Sequence, residues 1–475
     1  MRTSFEPRRQ RVAILTFSEV KNDPRIRRAA DLIVSRGHDV RVFTLQFASE
    51  EALEDYRGFR IIRLPLADRC HRVTLEIDAF RAALKDDLCQ VIATQWPDIL
   101  DRPWWDRPDS YKVEPVVPSF RQLLATRLRP SLPGKVADAV FGPVSAARAA
   151  PAEYYLNSAV ETRDIADTYW RMQVSVELFR AVGEWATHVY ANDLDTLFAG
   201  VMLKQAHGVC LIYDAHEIWP QQWSERERSA HFVGFFSTME RVLLQHTDER
   251  LTVGEGLAKY FEYAYASKPF TVVYNTPSLE HLCDESIVRR RSSRRGVLYH
   301  GLYMPFRGLE EMMLAVPKLE DCRVAFRGMG SHEQALRNFA TERELGQRVE
   351  FLPAVPVQDL VSGATLFDIG LLPFVNVCLN TNFAFPNKLF EYMMAGLALA
   401  SNDLVDLKRV IKQHEMGIVF DVADPNQVAT QLNALIRDPD RLDAMRFNAW
   451  RAAKDIYNWE NSSLEMTKLL ARCAL

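Results

Sequence analysis

Along this chain, short apolar runs alternate with stretches whose apolar residues recur every three or four positions. RVAILTF (11–17) is a run of the first kind. In DPRIRRAADLIVSRGHDVRVFTL (23–45), Arg25, Ala29, Leu32 and Ile33 fall at helical steps, Gly37 stops the helix, and Val40, Val42 and Phe43 restart an extended run. That is a β-α-β unit, the opening of a parallel sheet. FRIIRLPL (59–66) reads as a third strand, and the rhythm resumes with THVYAND (187–193), GVCLIYDAHE (208–217), ERLTVG (249–254) and FTVVYNTP (270–277). The charged run RRRSSRRG (289–296) precedes a new strand, VLYHG (297–301), which sets the interdomain linker near 277–296. A second alternation follows: helix 308–316, strand 323–328, helix 332–345, strand 349–353, helix 357–364, strand 368–374, helix 382–396 and strands 397–401 and 417–421, with a helical tail. The pattern predicts two doubly wound α/β domains, 1–285 and 286–455, and a C-terminal helix, 456–475, able to return to the first domain. Such domains hold ligands in a cleft at the carboxyl ends of their strands.

One segment breaks the rhythm. Residues 96–165 contain QWPDILDRPWWDRPDSYKVEP, rich in Trp, Pro, Asp and Arg, and no sustained period. It reads as an insertion, either a packed excursion or an acceptor-side or membrane-surface flap.

Composition narrows the class. A length of 475 residues exceeds one core. Hydrophobic residues at 48% and charged residues at 25% are globular values. The net charge of −4 argues against a dedicated nucleic-acid binder. Seven scattered cysteines without a CxxC pair form no recognisable zinc motif and suit a reducing compartment. The basic start MRTSFEPRRQRVAILTF has too short an apolar run for a signal peptide, and no stretch approaches the roughly 20 residues that span a bilayer. The expected location is cytoplasmic, with room for a peripheral contact at the inner face of the plasma membrane.

The stretch NFAFPNKLFEYMMAG (382–396) raises a chemical question. Pro386 suits a first helical turn, and Gly396 suits a left-handed stop. Lys388, however, stands at the positive end of the helix dipole, where a cation is disfavoured. Paired with Glu391 three residues on, it would be an ordinary surface pair worth a few tenths of a kcal/mol. An anion held jointly by Lys388 and the free N–H groups would remove the conflict, and Glu391 could accept hydrogen bonds from vicinal hydroxyls. Elsewhere, His216 lies in DAHEIWP between two carboxylates at a strand's carboxyl end, where Asp214 could simply orient it. Glu217 suits an acceptor-side base or a helix start. In ANDLD, Asp193 and Asp195 suit either a divalent-metal site on a nucleotide diphosphate or, for Asp193, an acceptor-facing or capping role.

LNTNFAFPNKLFEYMMAGLALAS (379–401) resembles the donor-nucleotide motif of glycosyltransferase family 4, retaining enzymes of the GT-B fold. YHGLYMPFRGLEEMMLA (299–315), VAFRGMGSHEQAL, VEFLPAVPVQDLVSGATLFDIGLLPF, NDPRIRRAADLIVSRGHDVRVFTL and VYANDLDTLFAG…LIYDAHEIWP are similar to further segments of a bacterial subgroup, in the same order. The resemblance covers most of the chain outside the insertion. It implies that Glu391 binds the ribose hydroxyls, that Lys388 and Arg307 hold the donor diphosphate, and that His216 sits near the transferred sugar. Gly301, Gly328, Phe383, Asn387 and the backbone amides near Ala384 and Phe385 would line the nucleotide-sugar pocket; Glu217 and Asp193 would be acceptor-side. The sequence departs from the family where Phe383 replaces a common sugar-contacting glutamate and Leu302 an arginine. The implied reaction is metal-independent and cofactor-free transfer, with retention, from a nucleotide-diphosphate sugar to an acceptor hydroxyl. The departing phosphate would take the acceptor's proton. The implied acceptor is a glycan, glycolipid or small molecule, in bacterial surface-glycan assembly. A sugar-nucleotide epimerase or a non-catalytic nucleotide-sugar-binding protein on the same scaffold are the alternatives. A nicotinamide dehydrogenase lacks its GxGxxG after the first strand.

Overall fold

In the computed structural model, residues 9–46, 50–65, 159–222, 228, 230–291 and 295–475 are described. Most of the segment expected as an insertion, 96–165, lies outside them.

The first sheet contains Arg11–Leu15 (β1), Asp39–Leu45 (β2), Leu53–Tyr56 (β3), Phe59–Leu64 (β4), His188–Asn192 (β5), Cys210–Ala215 (β6), Glu249–Thr252 (β7) and Thr271–Val272 (β8), in the order β3-β4-β2-β1-β5-β6-β7-β8. β1 pairs in parallel with β2 and β5, and β5 with β6. Four of the five residues of β1 are buried and all five of β5 are, which is why the interior of each reads as an apolar run. The helix after β1, Pro24–Ser35, starts where Asp23 accepts from the Arg25 and Ile26 N–H groups and Pro24 occupies the first turn. β3 escaped the sequence pattern. LEDY is an edge strand whose residues are exposed or half-buried, antiparallel to β4, so no apolar alternation marks it.

The second sheet contains Arg295–His300 (β9), Cys322–Arg327 (β10), Val349–Leu352 (β11), Ile369–Leu372 (β12), Ala398–Asn402 (β13) and Gly417–Phe420 (β14). Its order is β11-β10-β9-β12-β13-β14, with every pair parallel. One apolar cluster fills each face. Val297, Tyr299 and Phe326 belong to one, and Leu298, Ala325, Leu389 and Met393 to the other. A helix the sequence reading did not place, Val405–Gln413, joins β13 to β14. The tail folds as three helices, Pro425–Ile436, Pro439–Asp455 and Trp459–Arg472.

The chain divides into two compact units: 1–251 with 261–270 and 469–475, and 252–260 with 271–468. The division therefore falls within 251–271. Residues 469–475 are tied into the first unit, where Arg472 pairs with Glu249, the Cys473 carbonyl meets His188 Nε2 at 2.7 Å, and Arg36 donates to the Leu475 carbonyl. The five described cysteines, Cys210, Cys283, Cys322, Cys378 and Cys473, are free.

Candidate active-site residues

In the second unit, the residues of interest collect at the carboxyl ends of β9, β10 and β12 and on the helix Asn387–Met394. This helix starts later than its sequence suggests, because Leu379–Asn382 forms a separate turn of helix and Pro386 is the cap residue, not part of the first turn. Leu389 and Met393 are fully buried, and Gly396 takes the left-handed stop at φ 69°.

Lys388 answers the question its position raised. Its Nζ lies 3.9 Å from the Tyr299 ring centroid and 5.1 Å from that of Phe374, and the Arg307 guanidinium stands 5.2 Å from the same Phe374 ring. Among the described residues, neither Lys388 nor Arg307 has a carboxylate at ion-pair distance. Burial, and then repulsion from Arg307, hold Lys388 well below the usual lysine range, with Glu391 only partly opposing. The surface Lys388–Glu391 pair is therefore not formed. Two cations share one aromatic ring instead, an arrangement that an anion would relieve.

Gly301 makes room for the ammonium: a Cβ there would stand 2.9 Å from Lys388 Nζ, and its φ is 135°. Gly328, after β10, crosses the Gly301 carbonyl. The two loops are laced by Gly301 N–H to the Arg327 carbonyl and Tyr303 N–H to the Met329 carbonyl.

Glu391 turns toward β9, with Oε2 2.8 Å from His300 Nε2. His300 is 1% exposed, its ring stacks on Tyr392 at 4.4 Å, and its N–H donates to the Tyr392 hydroxyl. The remaining donor-side expectations divide. Ala384 N–H is used internally, donating to the Thr381 carbonyl, so it is not a free amide. Among the described residues, the Phe385, Asn387 and Lys388 N–H groups have no partner. The Phe385 side chain is core, packed on Tyr274 and Phe390. Phe383 is half-buried against Tyr260, and the Asn387 side chain accepts from Asn275.

Two residues escaped the sequence reading. His300 precedes Gly301, and Arg327 precedes Gly328 directly across the strand pair. Arg327 is buried, and its Nη1 has no hydrogen-bond partner among the described residues. The available signal was a polar residue directly after the apolar run of each strand.

In the first unit, β1, β5 and β6 end beside one another and bring Arg25, Asp193, Asp214 and His216 together. Arg25, on the apolar face of its helix, is 1% exposed. It grips Asp214 through Nε at 2.7 Å and Nη2 at 2.9 Å, and the Tyr190 hydroxyl donates to the same carboxylate. His216 Nε2 lies 3.1 Å from Asp214 Oδ2, and Nδ1 lies 3.5 Å from Asp193 Oδ2. The His216 N–H also donates to Asp193 Oδ1 at 2.9 Å. Although burial opposes its charge, Asp193 and Asp214 raise His216 well above the usual histidine range. Burial would raise Asp214, but Arg25 and His216 hold it low. Burial lifts Asp193, opposed by His216 and reinforced by Asp214 and Asp195.

The two aspartates of ANDLD diverge. Asp193 goes to His216, while Asp195 pairs with Arg171 and accepts from Trp219 Nε1 at 3.2 Å. Each carboxylate thus has its own cationic partner, which does not fit a shared divalent ion. Glu217 lies half-buried in the turn after His216.

Comparison with known proteins places these observations. Residues 294–438 match the model of the family Glycosyl transferases group 1. A D-inositol 3-phosphate glycosyltransferase of Corynebacterium urealyticum is 26% identical over 137 residues, 29% of this chain and 30% of that protein, so the chain matches under a third of that relative's length. A sucrose-phosphate synthase from Thermosynechococcus elongatus superposes with a TM-score of 0.64 over 98% of this chain and 99% of its own, at 14% identity. A glycosyltransferase from Rickettsia africae gives 0.59 over 98% and 99% at 9% identity. The Anabaena protein HepE in complex with UDP-glucose gives 0.57 over 98% and 100% at 12% identity. Two parallel-sheet α/β units with these structural relatives make the fold of this chain the GT-B fold, with its second unit matching Glycosyl transferases group 1.

Proposed function

We propose that this protein is a retaining glycosyltransferase that moves a sugar from a nucleotide-diphosphate donor to an acceptor hydroxyl, without a metal, in the assembly of a bacterial surface glycan or glycolipid. One observation carries the reading: Lys388 and Arg307, with no carboxylate at ion-pair distance among the described residues, converge on one ring beside Glu391. A nucleoside diphosphate supplies what that arrangement lacks, two phosphates for the cations and a vicinal diol for the carboxylate. The family match over this unit and the neighbours solved with UDP and UDP-glucose support the choice of ligand.

Charge accumulates on the diphosphate as the bond to the sugar breaks. Lys388, Arg307 and the free N–H groups at the start of the helix Asn387–Met394 stabilise that charge more than they stabilise the bound substrate. Cation charge already present in the protein does this without a divalent ion. Acceptor chemistry belongs to the first unit, where Asp193 and His216 stand at strand ends. Contact with a membrane surface would be peripheral, as no helix among the described residues is long and apolar enough to cross a membrane.

The test is a thermal-shift screen with UDP-, GDP-, ADP- and dTDP-sugars. One nucleotide should raise the melting temperature, and Glu391→Ala should abolish that shift. An undiminished shift in Glu391→Ala would remove the ribose role.

A further inference from the structure

Away from the residues assigned above, the amino-terminal ends of β5 and β6 hold two thiols in contact. Cys210 opens β6, and Cys473 lies in the turn after the helix Trp459–Arg472. The Cys473 side chain is hydrogen-bonded to that of Cys210. Both residues belong to the first unit, although more than half of the chain runs between them.

The backbone holds this contact independently of the two sulfurs. His188, the first residue of β5, is the register partner of Cys210, and its Nε2 lies 2.7 Å from the Cys473 carbonyl oxygen. The Cys210 N–H donates to the Thr187 carbonyl at 3.1 Å. On either side of Cys473, Arg472 donates to both Glu249 carboxylate oxygens, at 2.8 and 2.7 Å, and Arg36 Nη1 donates to the Leu475 carbonyl at 2.9 Å. Bonds at Arg472, Cys473 and Leu475 thus seat the end of the chain with one thiol against the other.

The two thiols are not equivalent. Cys210 is half-buried, whereas Cys473 is 7% exposed, so a reagent meets Cys210 first. Cys210, and then burial, push the Cys473 thiol up. Asp248, which accepts from the Cys210 side chain, is itself paired with Lys204 Nζ at 2.5 Å. Cys378, by contrast, meets a hydroxyl, that of Thr381 at 3.1 Å.

We infer that Cys210 and Cys473 form an oxidative modification site, which closes to an intramolecular disulfide on reaction with a small-molecule disulfide of the glutathione class. The Cys210 thiol gives up its proton, and the thiolate attacks one sulfur of oxidised glutathione. That S–S bond breaks, and one glutathione leaves with the electron pair. Cys473 then loses its proton, attacks the Cys210 sulfur of the mixed disulfide and expels the second glutathione. Two protein thiols are oxidised, and one glutathione disulfide is reduced to two thiols that take up the two protons. Closing from hydrogen-bond contact to a sulfur–sulfur bond of about 2.05 Å requires a shift that a chain terminus can make. The bond ties the tail to β6 and closes more than half of the chain into one loop, which removes freedom from the unfolded state.

The full chain is incubated at pH 8 with oxidised glutathione or with dithiothreitol, its free thiols are alkylated, and its peptides are mapped by mass spectrometry. Oxidation should yield a peptide pair joined through Cys210 and Cys473, and a melting temperature at least about 4 °C above that of the reduced chain. Dithiothreitol should reverse both. Cys210→Ser and Cys473→Ser should each lose the link and the rise. The mapping is made on the parent chain, so it decides the matter even where a serine variant folds poorly. A lasting glutathione adduct on Cys210 without the link overturns the proposal, as does a parent in which both thiols stay reduced. A link that leaves the melting temperature unchanged overturns the tying of the tail.

Discussion

At the scale of single residues, Lys388 and Arg307 stand out because neither has a carboxylate at ion-pair distance among the described residues. Lys388 illustrates how far sequence could see. Its place in a first helical turn already implied a missing anion. That the missing partner is not Glu391 emerged only when Glu391 was found facing His300. Burial and Arg307 depress Lys388, so a bound diphosphate should raise its pKa. Between the free and bound values, binding must therefore take up protons. Calorimetry of UDP binding over a pH series, in buffers of different ionisation enthalpy, should show a pH window of proton uptake that Lys388→Arg lacks. Equal uptake in both would assign the proton elsewhere. Arg25 was less legible. An arginine at an apolar-face position implies a buried partner, but nothing in the local pattern points to Asp214, 189 residues away.

Elements were legible in proportion to their burial. β1, β5, β6 and β12 are buried along nearly their whole length and coincide with the largely apolar runs that announce them. The edge strand β3 and the helix Val405–Gln413 were not placed. Of the apolar run 270–277, only Thr271–Val272 pairs as a strand, because a run records burial and not hydrogen bonding. Loops between elements carry the closest backbone approaches. Gly308, at φ 73° ahead of the helix Leu309–Ala315, would place a Cβ 1.8 Å from the Pro373 carbonyl oxygen. Gly308→Ala should therefore cost about 2 kcal/mol or more in urea unfolding, beyond the usual glycine-to-alanine effect. It should also weaken nucleotide binding through the adjacent Arg307. A stability loss below about 0.5 kcal/mol would mean the loop relaxes freely.

At the scale of the whole molecule, the chain builds two units from one rhythm, and its last residues belong to the first. Leu469 and Leu470 are fully buried, and Leu475 nearly so. Removing 469–475 deletes these side chains with the Arg472–Glu249 pair, and each buried leucine contributes roughly 1.5–3 kcal/mol. The truncated chain should lose hydrogen-exchange protection in β1 and β5 before β9 and β12. Even loss across both sheets would show that the units unfold as one. The sequence by itself determined the fold class and most of the strand-helix order, and marked Lys388 as a cation at the wrong end of a helix, because burial periodicity and helix-terminus chemistry are local; Arg307 entered through the family resemblance. Only the tertiary structure decided which charge answers which. The pairing of Arg25 with Asp214, of Glu391 with His300 and of Asp193 with His216 is set by which strands lie side by side in a sheet. Residues adjacent at neighbouring strand ends are separated in sequence by whole crossover connections, so no local pattern records their meeting.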